Sequence, residues 1–192
     1  MTTIIWRKDK NGKLTIAADK RSTICFSDNS WSTSKIVDNQ TKIYKFEDKK
    51  NSYNSFLLWI AWDSMSNILV NEISKTWAGS EEWKHWVDSV VTAIQFLNCL
   101  KENSNKKDPD NAFMLLHKNF QIEMSSIWQV SEMKWNVMSI WSWCFYFDSI
   151  RASEALAKTK FNIDNFELED YFEIISTLDP YTSSTFEVLT LD

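Results

Sequence analysis

Met1-Thr2-Thr3-Ile4-Ile5 opens the chain, and it is read together with Asp19 in Ala17-Ala18-Asp19-Lys20-Arg21 and Lys35 in Ser34-Lys35-Ile36. A small residue after the initiator lets Met1 be removed, which leaves Thr2 with a free α-amino group. Such a threonine holds a nucleophile and a base in one residue. The hydroxyl attacks, and the amine, with a reference pKa of about 8, takes the proton close to neutral pH. A buried carboxylate at Asp19 and an ammonium at Lys35 would complete the site, Lys35 by lowering the proton affinity of its neighbours and Asp19 by orienting Lys35. Taken alone, Met-Thr-Thr reads as no more than the start of an edge strand.

A chain of 192 residues suits one domain with a sizeable core, and its 44% hydrophobic and 24% charged residues are those of an ordinary globular protein. A net charge of -5 argues against nucleic acid as the main partner. No apolar run approaches a membrane span, and no signal peptide is read ahead of the first strand. Cys25, Cys99 and Cys144 are widely spaced and odd in number, so a reducing cytoplasm is expected rather than a disulfide framework. With only His85 and His117 and no paired cysteines, no metal site and no cofactor are expected.

One feature of the composition is abnormal: 11 Trp against 2 Gly. A compact domain needs residues at positive φ for its turns, and two glycines are too few. Counted together, the tryptophans and glycines would make up about 7% of the chain, the usual share of glycine alone. Some bacterial lineages and their viruses read UGA as glycine, and a translation that reads UGA as tryptophan would produce this pattern.

Along the chain, residues 2–8 read as a strand, Asn11-Gly12 as a hairpin turn and Leu14 to Ala18 as the returning strand. Arg21 to Ser34 is polar and reads as a loop or irregular ribbon. Lys35-Ile36-Val37 begins a short strand with Thr41 to Phe46 as its expected partner, and Asp48 to Asn54 is a charged turn. Phe56 to Ala61 is a continuous apolar run, the mark of a strand buried on both faces. From Asp63 the period becomes helical, and a second helix is expected from Ser80-Glu81-Glu82 to just before Asn103, with Val87, Val90, Ile94 and Leu97 among its apolar positions. The run from Asn103 to Asp110 is a loop. Four strands follow, at Ala112 to His117, Phe120 to Met124, Ile127 to Val130 and Asn136 to Ile140. Helices are expected over Phe145 to Lys158 and Leu168 to Leu178, and a last strand over Thr185 to Leu191. This order predicts one α+β domain over residues 1–192, a four-layer αββα sandwich of two antiparallel sheets covered by helices.

These residues resemble the proteasome β-subunit family, and within it the bacterial HslV peptidase, the proteolytic ring partner of the HslU ATPase. The family begins with a Thr exposed by processing, followed by an Asp and then a Lys. Thr2, Asp19 and Lys35 match them, with one residue more than HslV in the first hairpin. The family's Gly-x-Ala-Gly element ends a buried strand, and its first glycine offers a backbone N–H to the oxyanion. It stands here as Trp59-Ile60-Ala61-Trp62. The family's Gly-Ser-Gly, whose serine supports the nucleophile, stands here as Trp141-Ser142-Trp143. At four positions where the family has glycine, the chain has tryptophan, as a reassigned codon would give. Asp179, in Leu178-Asp179-Pro180, matches an Asp of the family that hydrogen-bonds near the threonine.

The resemblance implies a threonine-type endopeptidase working in a homo-oligomeric ring, with an HslU-type ATPase as partner and unfolded polypeptides as substrates. Nucleic acid and membrane are not expected partners. It further implies that Thr2 is the nucleophile, that Lys35 and Asp19 tune it, that residue 59 donates to the oxyanion and that Ser142 bonds the Thr2 amine. Singly, Asp19 reads as a turn cap, Lys35 as a solvated residue and Ser142 as a helix N-cap. Together they read as a site. The rival readings are a catalytically inactive structural ring subunit and an amidase of the wider N-terminal nucleophile class.

Overall fold

The computed structural model describes residues 4–28, 31–37, 40–48, 51–60, 87–104, 112–125, 129–132, 137–139, 167–178 and 182–192, and gives the backbone only for 22–28, 31–37, 103–104 and 137–139. The strands are β1 (Ile4–Lys8), β2 (Leu14–Asp19), β3 (Ser22–Asp28), β4 (Trp31–Val37), β5 (Ile43–Phe46), β6 (Phe56–Ile60), β7 (Phe113–His117), β8 (Phe120–Met124), β9 (Val130–Glu132), β10 (Val137–Ser139) and β11 (Phe186–Leu191). The helices are α1 (Val90–Ser104) and α2 (Leu168–Leu178), with a 3-10 turn at Ser52–Asn54. The helices expected over 63–77 and 145–158 lie outside the described residues. The strands form a sheet ordered β10-β1-β2-β11, a β3-β4 ribbon and a sheet ordered β5-β6-β7-β8-β9.

The first hairpin shows how its turn is written in the sequence. The Asp9 carboxylate accepts the backbone N–H groups of Asn11 at 2.8 Å and Lys13 at 2.9 Å. Asp9 N–H donates to the Lys13 carbonyl at 3.0 Å, and Gly12 N–H to the Asp9 carbonyl at 3.1 Å. Gly12 sits at φ 86°, the left-handed region that a Cβ disfavours. The turn returns the chain so that the end of β2 runs alongside the start of β1.

Contacts gather the chain into two units, each taken by itself. One comprises Met1–Trp6, Ala17–Thr41 and Val137–Val188; the other comprises Arg7–Ile16, Lys42–Asn136 and Leu189–Asp192. In the second unit, β6 and β7 are buried at every position, which is why FLLWI and FMLLH carry no polar alternation. At the next strand, β8, alternation returns: Phe120, Ile122 and Met124 are buried while Gln121 and Glu123 are half-exposed. Helix α1 lays Ala93, Phe96, Leu97 and Leu100 on Phe56, Leu58, Ile60, Phe113, Leu115 and the β8 set. Phe46 and Phe56 stack at 4.7 Å, and Phe96 meets their rings edge-on at 6.0 and 5.3 Å.

In the first unit, α2 presents Leu168, Tyr171, Phe172 and Ile175, one stripe at helical spacing, to Ile5 and Ala17. Phe172 stacks on Phe186 at 4.4 Å. Asp170 reaches back to accept the Glu167 N–H at 2.8 Å, half of a capping box, and Glu169 with Asp170 puts negative charge at the helix start.

Four expectations are corrected. Arg21 to Ser34, read as a loop or irregular ribbon, holds β3 and most of β4, a ribbon in regular antiparallel register from Ser22 with Val37 to Asp28 with Trp31. Lys35 to Val37 therefore pairs with β3, while Ile43–Phe46 pairs with β6. A polar ribbon pairs through its backbone and needs no apolar alternation. The helix carrying Ile94 and Leu97 starts at Val90, with Val87 buried ahead of it. Its start is fixed by Ser89 and Thr92: Ser89 Oγ accepts the Thr92 N–H at 3.3 Å, and Thr92 Oγ1 accepts the Ser89 N–H at 3.0 Å. Finally, β9 runs over Val130–Glu132, with Ser125 N–H donating to the Gln129 carbonyl at 3.0 Å ahead of it, while residues 127 and 128 of the expected strand lie outside the described residues.

Candidate active site

Asp19 ends β2, whose six residues LTIAAD are all buried. A carboxylate in such a place must be hydrogen-bonded to be tolerated. Its Oδ2 accepts the Arg21 N–H at 3.0 Å, the two-residue reach typical of an Asp in a turn. The turn is fixed on both sides. Lys20 N–H donates to the Thr185 carbonyl at 3.1 Å, and the Lys20 carbonyl accepts the Gln40 N–H at 2.9 Å. Thr185 is itself held by its N–H on Ser183 Oγ at 3.0 Å. Asp19 is thus both the turn cap of the modest reading and a fully buried carboxylate held in one place.

Trp59 lies in β6, one residue before its end, in register with Ile43 of β5 and Met114 of β7. Its side chain is completely buried, and its indole Nε1 has no hydrogen-bond partner among the described residues. The indole of Trp6 in β1 is in the same condition. A buried donor left unsatisfied costs about 1–3 kcal/mol, and tryptophan buried by choice usually finds a partner for it.

Lys35 lies in β4, in register with Ile24 of β3; only its backbone is described. Thr2, Ser142 and Asp179 lie outside the described residues. In the chain, Thr2 precedes β1 by two positions, Ser142 follows β10 by three, and Asp179 directly follows α2. Because β10, β1 and β2 are consecutive in one sheet, the topology brings together the strand that Thr2 leads into, the strand ahead of Ser142 and the strand ending at Asp19.

A second polar cluster escaped the sequence reading. His117, fully buried at the end of β7, has Nε2 2.6 Å from the Tyr53 carbonyl and Nδ1 3.2 Å from the Asn119 backbone nitrogen. Its ring stacks on Phe120 at 4.4 Å. Burial holds its pKa below the ordinary histidine value, outweighing the opposing pull of the Tyr53 carbonyl. The only signal in the sequence was a histidine closing an apolar strand, and its main partner lies 64 positions away. No described helix is long and apolar enough to cross a membrane.

No protein-family model and no curated protein matches the sequence. Solved structures do match. BPH from Thiobacillus denitrificans, in complex with epoxomicin, superposes with a TM-score of 0.63 at 14% identity, covering 100% of this chain and 98% of that one. Anbu, an ancestral beta-subunit from Yersinia bercovieri, gives 0.60 at 12% identity over 100% of this chain and 80% of that one. The eukaryotic HslV of Trypanosoma brucei gives 0.55 at 12% identity over 99% of each chain. This likeness shows the fold: the chain has the α+β N-terminal nucleophile hydrolase fold, with antiparallel sheets covered by helices, that its sequence led us to expect.

Proposed function

We propose that this chain is a threonine-type endopeptidase, a single domain over residues 1–192 that forms the proteolytic ring of an HslV- or proteasome-like protease in the cytoplasm. The observation that carries this reading is Asp19: a buried carboxylate at the end of β2, beside the strand that Thr2 leads into, in a chain whose whole length follows the fold of HslV and Anbu. With Met1 removed, Thr2 Oγ attacks the peptide carbonyl while its own α-amine takes the hydroxyl proton and passes it to the leaving amine; the C–N bond breaks, and water then hydrolyses the acyl-enzyme ester and restores Thr2. Lys35 favours the deprotonated amine and hydroxyl, and Asp19 orients Lys35. Ser142 and Asp179 bond near the Thr2 amine. The backbone N–H of residue 59 donates to the oxyanion, a contact worth about 3–4 kcal/mol of barrier. An HslU-type ATPase feeds the ring unfolded chains.

The same reading takes the eleven tryptophans as glycines written through a reassigned UGA codon. The two buried indoles without hydrogen-bond partners support it, since glycine at 6 and 59 leaves no donor behind. A second reading draws on the same observation. If Trp59 is tryptophan in the living protein, its buried ring crowds the oxyanion position, and the chain is a catalytically inactive structural subunit.

The intact mass of the protein from its native host separates the two. Loss of one Met and of eleven Trp-to-Gly differences supports the peptidase. A mass equal to the written sequence, with Met1 retained, overturns it. In the glycine form, Thr2→Ala is expected to abolish peptide hydrolysis with assembly intact. Epoxomicin, the ligand held by the Thiobacillus neighbour, is expected to add its mass to the N-terminal peptide of the Thr2 form alone.

A further inference from the structure

The Tyr53 carbonyl can only accept, so Nε2 of His117 must carry the proton in their 2.6 Å contact. The Asn119 backbone N–H can only donate, so Nδ1 of His117 must be bare to receive it at 3.2 Å. A single neutral tautomer satisfies both partners at once. We propose that His117 is an acid-sensitive clasp: as the neutral Nε2–H form it ties the Ser52–Asn54 turn to the Lys118–Asn119 turn, and a proton taken from solvent onto Nδ1 expels the Asn119 amide and frees the second turn.

The surroundings make the release more than a lost bond. The imidazole is buried between Phe120, stacked at 4.4 Å, and Tyr53, edge-on at 5.8 Å, so the ring stays in place as it titrates and Nδ1 serves the Asn119 amide only while neutral. The Lys118–Asn119 turn is also held by Asn119 Nδ2 on the Tyr53 hydroxyl, by the Lys118 ammonium over the Tyr53 ring at 4.4 Å and by Lys8 Nζ on the Lys118 carbonyl at 2.8 Å. These contacts all depend on the turn keeping its place. The charged groups around the ring pull in opposite directions: Lys118, from the turn, disfavours a second positive charge, and Asp88, ahead of α1, favours it. Lys8 of β1 adds a further cation at the turn's carbonyl. The Nε2–H bond to Tyr53 strengthens when the ring is charged, so the 3-10 turn stays attached while the hairpin turn lets go.

The test uses the full chain. Nitrogen-15 NMR of the imidazole reads tautomer and titration directly, and amide exchange reads the turn. At about pH 7.5 the Nε2–H tautomer is expected. Protection of the Asn119 amide, corrected for intrinsic exchange, is expected to fall about tenfold per pH unit as the pH drops toward the His117 midpoint and to be lost below it. His117→Gln retains an N–H donor for Tyr53 and cannot titrate, so its Asn119 protection is expected to be flat with pH. An Nδ1–H tautomer at neutral pH, protection unchanged while His117 titrates, or the same fall in His117→Gln each overturns the proposal. Should His117→Gln fail to fold, the wild-type midpoints decide: coincidence of the imidazole and Asn119 curves supports the clasp, and separate midpoints overturn it.

Discussion

Asp19 closes a fully buried strand, and its burial sets what substitutions there should do. Asp19→Asn keeps an oxygen for the Arg21 N–H while removing the charge. Its unfolding free energy by urea titration is expected to stay within about 1 kcal/mol of the parent, with peptide hydrolysis abolished. Asp19→Ala takes the acceptor from the half-buried Arg21 N–H, and a loss of about 1 kcal/mol or more is expected in the same titration. At Trp59 the usual logic of cores reverses. Truncating a buried aromatic normally costs about 3–5 kcal/mol. Where the ring stands in for glycine, its removal relieves both overpacking and an indole without a partner. Trp59→Gly is therefore expected to raise the thermal midpoint of protein made with tryptophan at that position. A large fall would mean that the core is built around the ring.

The elements differ in how plainly the sequence announces them, and the difference is physical. The apolar runs of β6 and β7, the alternation of β8 and the i, i+3, i+4, i+7 stripe of α2 were legible because burial writes them into the side chains. Asn11-Gly12 was legible because the turn needs the left-handed backbone that Gly12 adopts. The β3-β4 ribbon was not, since its register rests on backbone pairing that Ser and Thr neither favour nor forbid strongly. The start of α1 was misread because its signal is Ser89 with a Thr three residues on; Ser80-Glu81-Glu82, read as the opening, lies outside the described residues. In the site, Asp19 stood out as a charge after Ala17-Ala18; the clasp at His117 did not, because its partners come together only in the fold. The α1 cap allows a measurement. Ser89→Ala and Thr92→Ala are each expected to cost about 1 kcal/mol in urea unfolding. Because the two hydroxyls serve each other's backbone N–H, the double variant should lose less than the sum.

At the scale of the whole molecule, pH acts on stability through two described groups of opposite sign, the buried His117 and the half-buried Glu123. His117 is held below its ordinary value of 6.5 by burial, so the unfolded chain takes up a proton before the folded one does. The stability tied to neutral His117 is complete above 6.5 and is lost as the pH falls through its folded pKa. Glu123 in β8 is pushed above 4.5 by burial, so the folded chain binds its proton first. Its contribution is complete below 4.5 and is lost as the pH rises through its folded pKa, which means that acidification recovers it. Between the two reference values the groups oppose each other, and the parent's response is their difference. Urea midpoints at about pH 7.5, 6 and 5 separate them. Relative to the parent, His117→Gln should gain stability as the pH falls, because it lacks the histidine's loss. Glu123→Gln should lose stability over the same range, because it lacks the carboxylate's recovery. Parallel curves for all three proteins would show that neither burial is felt by the folding equilibrium.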